Sequence, residues 1–115
     1  MPNATGEHER PYTAPETWKR AHEHPDAKRP FPEVLRAHMD HAGIEDLEEL
    51  WERFEEVGGE NIQRWRFMRS CEGTYGRADA RVIRGVVRVF GYPFDSEEAA
   101  RLALSFFGMV RRKAH

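Results

Sequence analysis

Six histidines (His8, His22, His24, His38, His41 and His115) and a single cysteine, Cys71, are the side chains of this 115-residue chain whose types could hold a metal ion or attack a substrate. His38 and His41 stand three apart with Asp40 between them, and His22, His24 and Asp26 form a second local group. Neither group is joined by a further well-placed ligand, and such pairs on a helix are more often plain surface. The chain has no His-Glu-x-x-His and no glycine-rich phosphate loop. Cys71 falls on an apolar side of its segment with no histidine implied beside it, so buried packing is expected rather than nucleophilic work. The expectation is therefore a protein that is not an enzyme, with no metal and no cofactor.

Charge is the other chemistry available, and it is unevenly distributed. The formal net charge is -2, yet residues 1–61 carry 7 Lys or Arg against 15 Asp or Glu, whereas residues 62–115 carry 11 against 5. Five carboxylates, Glu48, Glu49, Glu52, Glu55 and Glu56, crowd one short segment of the acidic half. At that density they repel phosphate, so their face is either solvated or turned toward a basic protein surface. In the basic half, a helical wheel groups Gln63, Arg66, Arg69 and Ser70 on one side and Trp65, Phe67, Met68 and Cys71 across from them. Arg81, Arg84 and Arg88 share a second basic face further on.

The elements that must position these groups are helices. PFPEVLRAHMDHAG opens with Pro32 in a first turn, presents Val34, Leu35, Met39 and Ala42 on one face and stops at Gly43. Asp46, followed three residues on by Glu49, is a capping box for a helix with Leu47, Leu50, Trp51, Phe54 and Val57 on one stripe, ending at Gly58 and Gly59. A third helix is expected from about Asn61 to Gly73. ARVIRGVVRVFG has the valines of a strand, but Val82, Ile83, Val86, Val87 and Phe90 follow helical spacing, whereas strict alternation would place Arg84 and Arg88 beside the apolar residues. Gly85 inside that helix costs about 1 kcal/mol against alanine, which suggests close approach of another helix there. A last helix starts at a second capping box, Asp95 with Glu98, and turns Ala99, Leu102, Ala103 and Phe106 inward, with Phe107 beside them. The predicted fold is all-α: a compact bundle of about five short helices over residues 31–108. A proline-rich arm, 1–30, precedes it, with a possible helix from Pro15 to Glu23 and with Tyr12 and Trp18 as anchors. A basic tail, 109–115, follows.

Three pieces, FPEVLRAHMDHAGI, DLEELWERF and CEG with ADARVIRGVVRVFGYPFDSEEAARLALSF, together resemble the repressor-type helix-turn-helix family that includes the phage repressors and the Xre regulators. The link EEVGGEN is longer than that family's tight turn, so the resemblance implies a repressor-like helix-turn-helix with a lengthened turn. It also implies double-stranded DNA binding, sequence-specific or general, in transcriptional regulation. Asn61, Gln63, Arg66 and Arg69 would then meet DNA, the amides reading adenine by paired hydrogen bonds and the arginines reading guanine or clamping phosphate. Arg77, Arg81 and Arg84 would join them near the next helix, where Gly76, Arg77 and the first turn offer N–H groups to a phosphate. The alternative is a protein-interaction module of the same fold, in which Glu48, Glu49, Glu52, Glu55 and Glu56 dock on a basic partner such as a regulatory protein. One spatial test separates the two. A convex patch of Arg66, Arg69, Arg81 and Arg84 free of carboxylates favours DNA, and a broken patch favours the protein partner.

No apolar run near 18 residues and no basic-then-apolar opening occurs, so no membrane partner and a cytoplasmic location are expected. A homodimer is possible, with Trp18, Phe106, Phe107 and Met109 as the apolar seam.

Overall fold

The structure, a computed structural model, describes residues 28–75 and 79–114, the last seven of them as backbone only. Helix α1 spans Phe31–Ala42 with proline in its first turn, and it closes at Gly43. The capping aspartate opens α2, Leu47–Val57: Asp46 accepts a 2.9 Å hydrogen bond from the Glu49 N–H. Glu49 returns a carboxylate oxygen to the N–H of Glu45 at 3.0 Å, one residue before the cap. Helix α3 is Arg64–Glu72 and ends at Gly73, whose φ of 80° a side-chain-bearing residue rarely adopts. Helix α4, Ala80–Phe90, is capped by Asp79, and α5 is Glu97–Ala114.

The five helices are the only regular elements among the described residues. None of them is long and apolar enough to cross a membrane. The valine-rich segment is helix rather than strand, because only the helical period keeps Val82, Ile83, Val86 and Val87 in the core while Arg84 and Arg88 reach outward. Helix α1 packs on α3 and α5, α4 packs on α2 and α5, and α2 also meets α3. Phe54 lies at the centre of one end, its ring 4.6 Å from Phe67 and 5.6 Å from Trp51. Phe31 and Phe106 fill the other end at 4.9 Å. Gly85 faces Phe54 so closely that a Cβ there would lie 2.1 Å from a ring carbon, which is the close approach its position suggests.

Several boundaries differ from the sequence expectation, each for a local reason. Helix α3 begins at Arg64, so Asn61 and Gln63 lie in the extended link before it. Its register is also turned. Phe67 takes the core position against Phe54 and Trp51, and on a helix its partners at three and four residues on, Ser70 and Cys71, come inward with it. Trp65, two residues from Phe67, is then forced out and is 47% exposed, the reverse of the expected sides for Trp65 and Ser70. Ser96, not Asp95, caps α5 by accepting from the Ala99 N–H at 3.2 Å. Helix α5 runs through Gly108 to Ala114, so the basic residues read as a tail continue the helix. Ala42 and Val57 are exposed rather than inward. Phe106 is fully buried against Phe31 and is therefore not available to a dimer seam. Tyr12, Trp18, the helix expected from Pro15, and the group His22, His24 and Asp26 fall outside the described residues, as do Gly76 and Arg77.

Candidate functional site

The outward turn of Trp65 gives α3 an aromatic surface framed by arginine. The Arg66 guanidinium lies 5.4 Å from the Trp65 ring centre and 5.7 Å from that of Tyr75, and the Arg69 guanidinium lies 5.6 Å from the Trp65 ring centre. Tyr75 meets Trp65 edge-on at 6.0 Å. Cations over aromatic faces attract the ring electrons, which helps to hold the cluster's geometry. The Trp65 indole N–H donates to the Gln63 side-chain carbonyl at 2.8 Å. That bond takes one of the two lone pairs of the Gln63 oxygen and fixes its direction, whereas reading adenine takes one donor and one acceptor together. Asn61 is exposed in the link, and its backbone carbonyl accepts from Arg81 at 2.9 Å.

The arginines of α4 are occupied differently. Arg81 donates to both oxygens of Asp79, at 3.0 and 2.8 Å, and Arg66 stands 3.9 Å from the same carboxylate. The hydrogen bond from Arg81 holds the Asp79 carboxyl below its usual range, overcoming partial burial, with Arg66 adding to the effect. In return Asp79 raises the pKa of Arg81. Glu60, from the link, receives Arg84 at 3.1 Å and Arg88 at 2.7 Å, and Arg88 also reaches the Gly58 carbonyl. Burial alone would push the Glu60 carboxyl up, but the hydrogen bonds and charges of Arg84 and Arg88 outweigh it and hold the carboxyl low. Of the seven residues expected to meet DNA, Arg66 and Arg69 thus share one face of α3 with Gln63 beside them. Arg81 and Arg84 are tied to carboxylates, Asn61 sits off the helix, and Arg77 lies outside the described residues. The patch is not free of acid.

The acidic helix α2 shows the opposite state. Glu49 is taken up by its cap and by Arg53 at 3.2 Å, and Glu48 pairs with Arg64 across the border to α3. Glu52, Glu55 and Glu56 are exposed and, among the described residues, meet no cation. Sequence reasoning missed Trp65, Tyr75, Glu60 and Asp79. For Trp65 a signal existed, since two large rings two residues apart on one helix cannot both face the same core. For Glu60 the signal was Arg84 and Arg88 four residues apart, a spacing that lets one carboxylate serve both.

The histidines lead elsewhere. His38 Nδ1 and the Tyr92 hydroxyl share a 2.6 Å hydrogen bond beside Phe90, and with His41 and Glu98 they border a shallow cavity of about 240 Å³. Burial, with Glu98 nearby, raises the Tyr92 pKa. No group of three His, Cys, Asp or Glu side chains that could hold a metal occurs among the described residues. Burial pushes the Cys71 thiol far up, with Glu72 adding to it, so the thiolate needed for attack does not form near neutrality.

The described residues thus form an all-helical bundle with an aromatic and arginine surface on one helix and an unpaired acidic stripe on the next. No family model, no curated protein and no solved structure matches the chain.

Proposed function

We propose that this chain is a protein-interaction module, built on a helix-turn-helix-like arrangement of α2, the link 58–63 and α3, that docks the acidic face of α2 on a basic partner. One observation carries this reading. The arginines of α4 are neutralised within the molecule by Asp79 and Glu60, while Glu52, Glu55 and Glu56 are exposed and, among the described residues, unpaired. Unspent charge is what steers a partner, giving fast and salt-sensitive association. Glu48 and Glu49, already engaged by Arg64 and Arg53, would frame the docking face rather than supply its charge.

A photo-crosslinking residue placed at position 55 on α2, and separately at position 69 on α3, tests the reading in intact host cells. Protein adducts at position 55 that disappear when Glu52 and Glu56 are replaced by lysine are the expected result. Adducts to nucleic acid at position 69, with none to protein at position 55, would overturn it.

Double-stranded DNA binding, in the manner of the repressor family, is the second reading. Its support is that Arg69 has no carboxylate partner among the described residues and lies with Arg66 and Gln63 on the open face of α3. Purified chain mixed with duplex DNA fragments across a salt series addresses it directly, with Arg66 and Arg69 replaced together as the control. Salt-weakened binding that the double replacement removes establishes DNA contact through α3. No binding at low salt retires it.

A further inference from the structure

The acidic stripe of α2 and the aromatic and arginine surface of α3 are neighbours, and the Glu48–Arg64 ion pair marks the border between them. On one side of that border Glu52, Glu55 and Glu56 offer negative charge without a counterion among the described residues. On the other side Arg69 offers positive charge without a carboxylate among the described residues, next to Trp65 at 47% exposure. Two adjacent patches of opposite sign have a geometric consequence. A two-fold axis running along their border lays each patch on the opposite patch of a second molecule, so the surface is complementary to itself.

We infer that the basic partner of the α2 face is the α3 face of a second copy of this chain, in a symmetric dimer held by two identical α2-to-α3 contacts. The inference rests on the α2-docking reading and names its partner. Trp65 and Tyr75, with the arginines around them, have the composition of a buried anchor: large rings that lose little entropy on ordering and guanidinium groups that bond carboxylates in pairs. Arg69 meets Glu52 and Glu55 of the other copy in this arrangement, and the Trp65 ring is covered. The same contact covers the α3 face that a DNA duplex would need, so the dimer and α3-mediated DNA binding exclude each other.

Sedimentation velocity of the purified full chain over a concentration series, at low and at high salt, reads the assembly. The expected result is a dimer at low salt that dissociates as salt screens the contact. Two variants sharpen the test, each confined to exposed side chains and checked for unchanged helix content by circular dichroism: Arg69→Glu, and Glu52→Arg with Glu55→Arg. Each alone brings like charges together at both contacts and weakens self-association by about tenfold or more. Mixed in equal amounts they form a heterodimer, because Glu at position 69 of one meets Arg at 52 and 55 of the other, and the second contact has the native charges. Mixing therefore restores dimer to near the wild-type level. A wild-type chain that stays monomeric at low salt overturns the inference, and so does a dimer indifferent to both variants or one that mixing fails to restore. The crosslink at position 55 separates these failures from failure of the docking reading: an adduct to a different, basic protein keeps α2 as the docking face and excludes only the second copy.

Discussion

The link between α2 and α3 separates two groups of arginines that the sequence presents as one basic half. On the α4 side, Arg84 and Arg88 close on Glu60, and Arg81 closes on Asp79, so their charge holds the link against the bundle. On the α3 side, Arg66 and Arg69 lean on aromatic rings, and Arg69 keeps its charge toward solvent. Residue type is the same in both places. What differs is how closely a carboxylate holds them: Arg81, Arg84 and Arg88 bond one at 2.7 to 3.1 Å, Arg66 only approaches Asp79 at 3.9 Å, and Arg69 meets none among the described residues, and that decides whether an arginine builds the fold or presents a surface. Net charge counted along a chain cannot separate the two.

The largest effects are expected where the α4 side is packed. Phe54→Ala removes a fully buried ring from its contacts with Trp51 and Phe67 and should cost about 3–5 kcal/mol in urea or thermal unfolding. Gly85→Ala places a methyl 2.1 Å from that ring. It should cost about 1–3 kcal/mol even though alanine is the better helix former by about 1 kcal/mol. The double replacement should cost clearly less than the sum, because the lost ring leaves room for the new methyl. Simple additivity would mean that the two residues do not share one space.

Next come the ion pairs that set the two groups apart. Glu60→Gln removes the shared acceptor of Arg84 and Arg88 and should destabilise by about 1–2 kcal/mol, while Arg69→Gln should stay within about 0.5 kcal/mol of wild type. If the two replacements cost the same, the distinction between structural and surface arginines fails. Acid should act on the same side. Both Glu60 and Asp79 have folded pKa values depressed below their ordinary 4.5 and 3.8. Their contribution is complete above those ordinary values and shrinks as pH falls below them. It is gone once the depressed folded values are passed. The unfolding midpoint should therefore drop on acidification below about pH 4.5, less steeply in a Glu60→Gln, Asp79→Asn double variant.

Much of this frame was legible in the sequence. Pro32, Gly43, Asp46 and Gly73 bound helices because each acts on its own few neighbours, and Gly85 announced a close contact because glycine inside a helix has little other use. The apolar stripe of α4 was readable for the same reason, its period being local. The candidate surface was less legible. The wheel placed Trp65 inward because it weighed hydrophobicity alone, whereas the seat beside Phe54 admits one ring and Phe67 occupies it. Arg81 pairs with Asp79 only two residues away, but Arg84 pairs with Glu60 24 residues away, and although the spacing of Arg84 and Arg88 allows a shared carboxylate, no local pattern names which one lies across the link. Asn61 and Gln63 were read as helical because the link is longer than a tight turn by residues that have no strong stop signal of their own.

The smallest effect tests the α3 side without disturbing the fold. Trp65 is exposed beside two guanidinium groups, so the anion iodide should concentrate around it and quench its fluorescence more than the cation caesium does at equal strength. The share belonging to Trp65 is the part that Trp65→Phe removes. Arg69→Gln should shrink the preference for iodide over caesium in that share while leaving quenching by neutral acrylamide unchanged, because exposure of the ring is set by Phe67 behind it and not by the arginine. Added sodium chloride should erase the remaining preference by screening. The proposed symmetric dimer would cover the same ring, so acrylamide quenching of the Trp65 share should fall with concentration in wild type and stay constant in Arg69→Glu. Equal quenching by iodide and caesium in dilute wild type would mean that the guanidinium charge does not reach the ring surface, and the contrast between the two groups of arginines would then rest on packing alone.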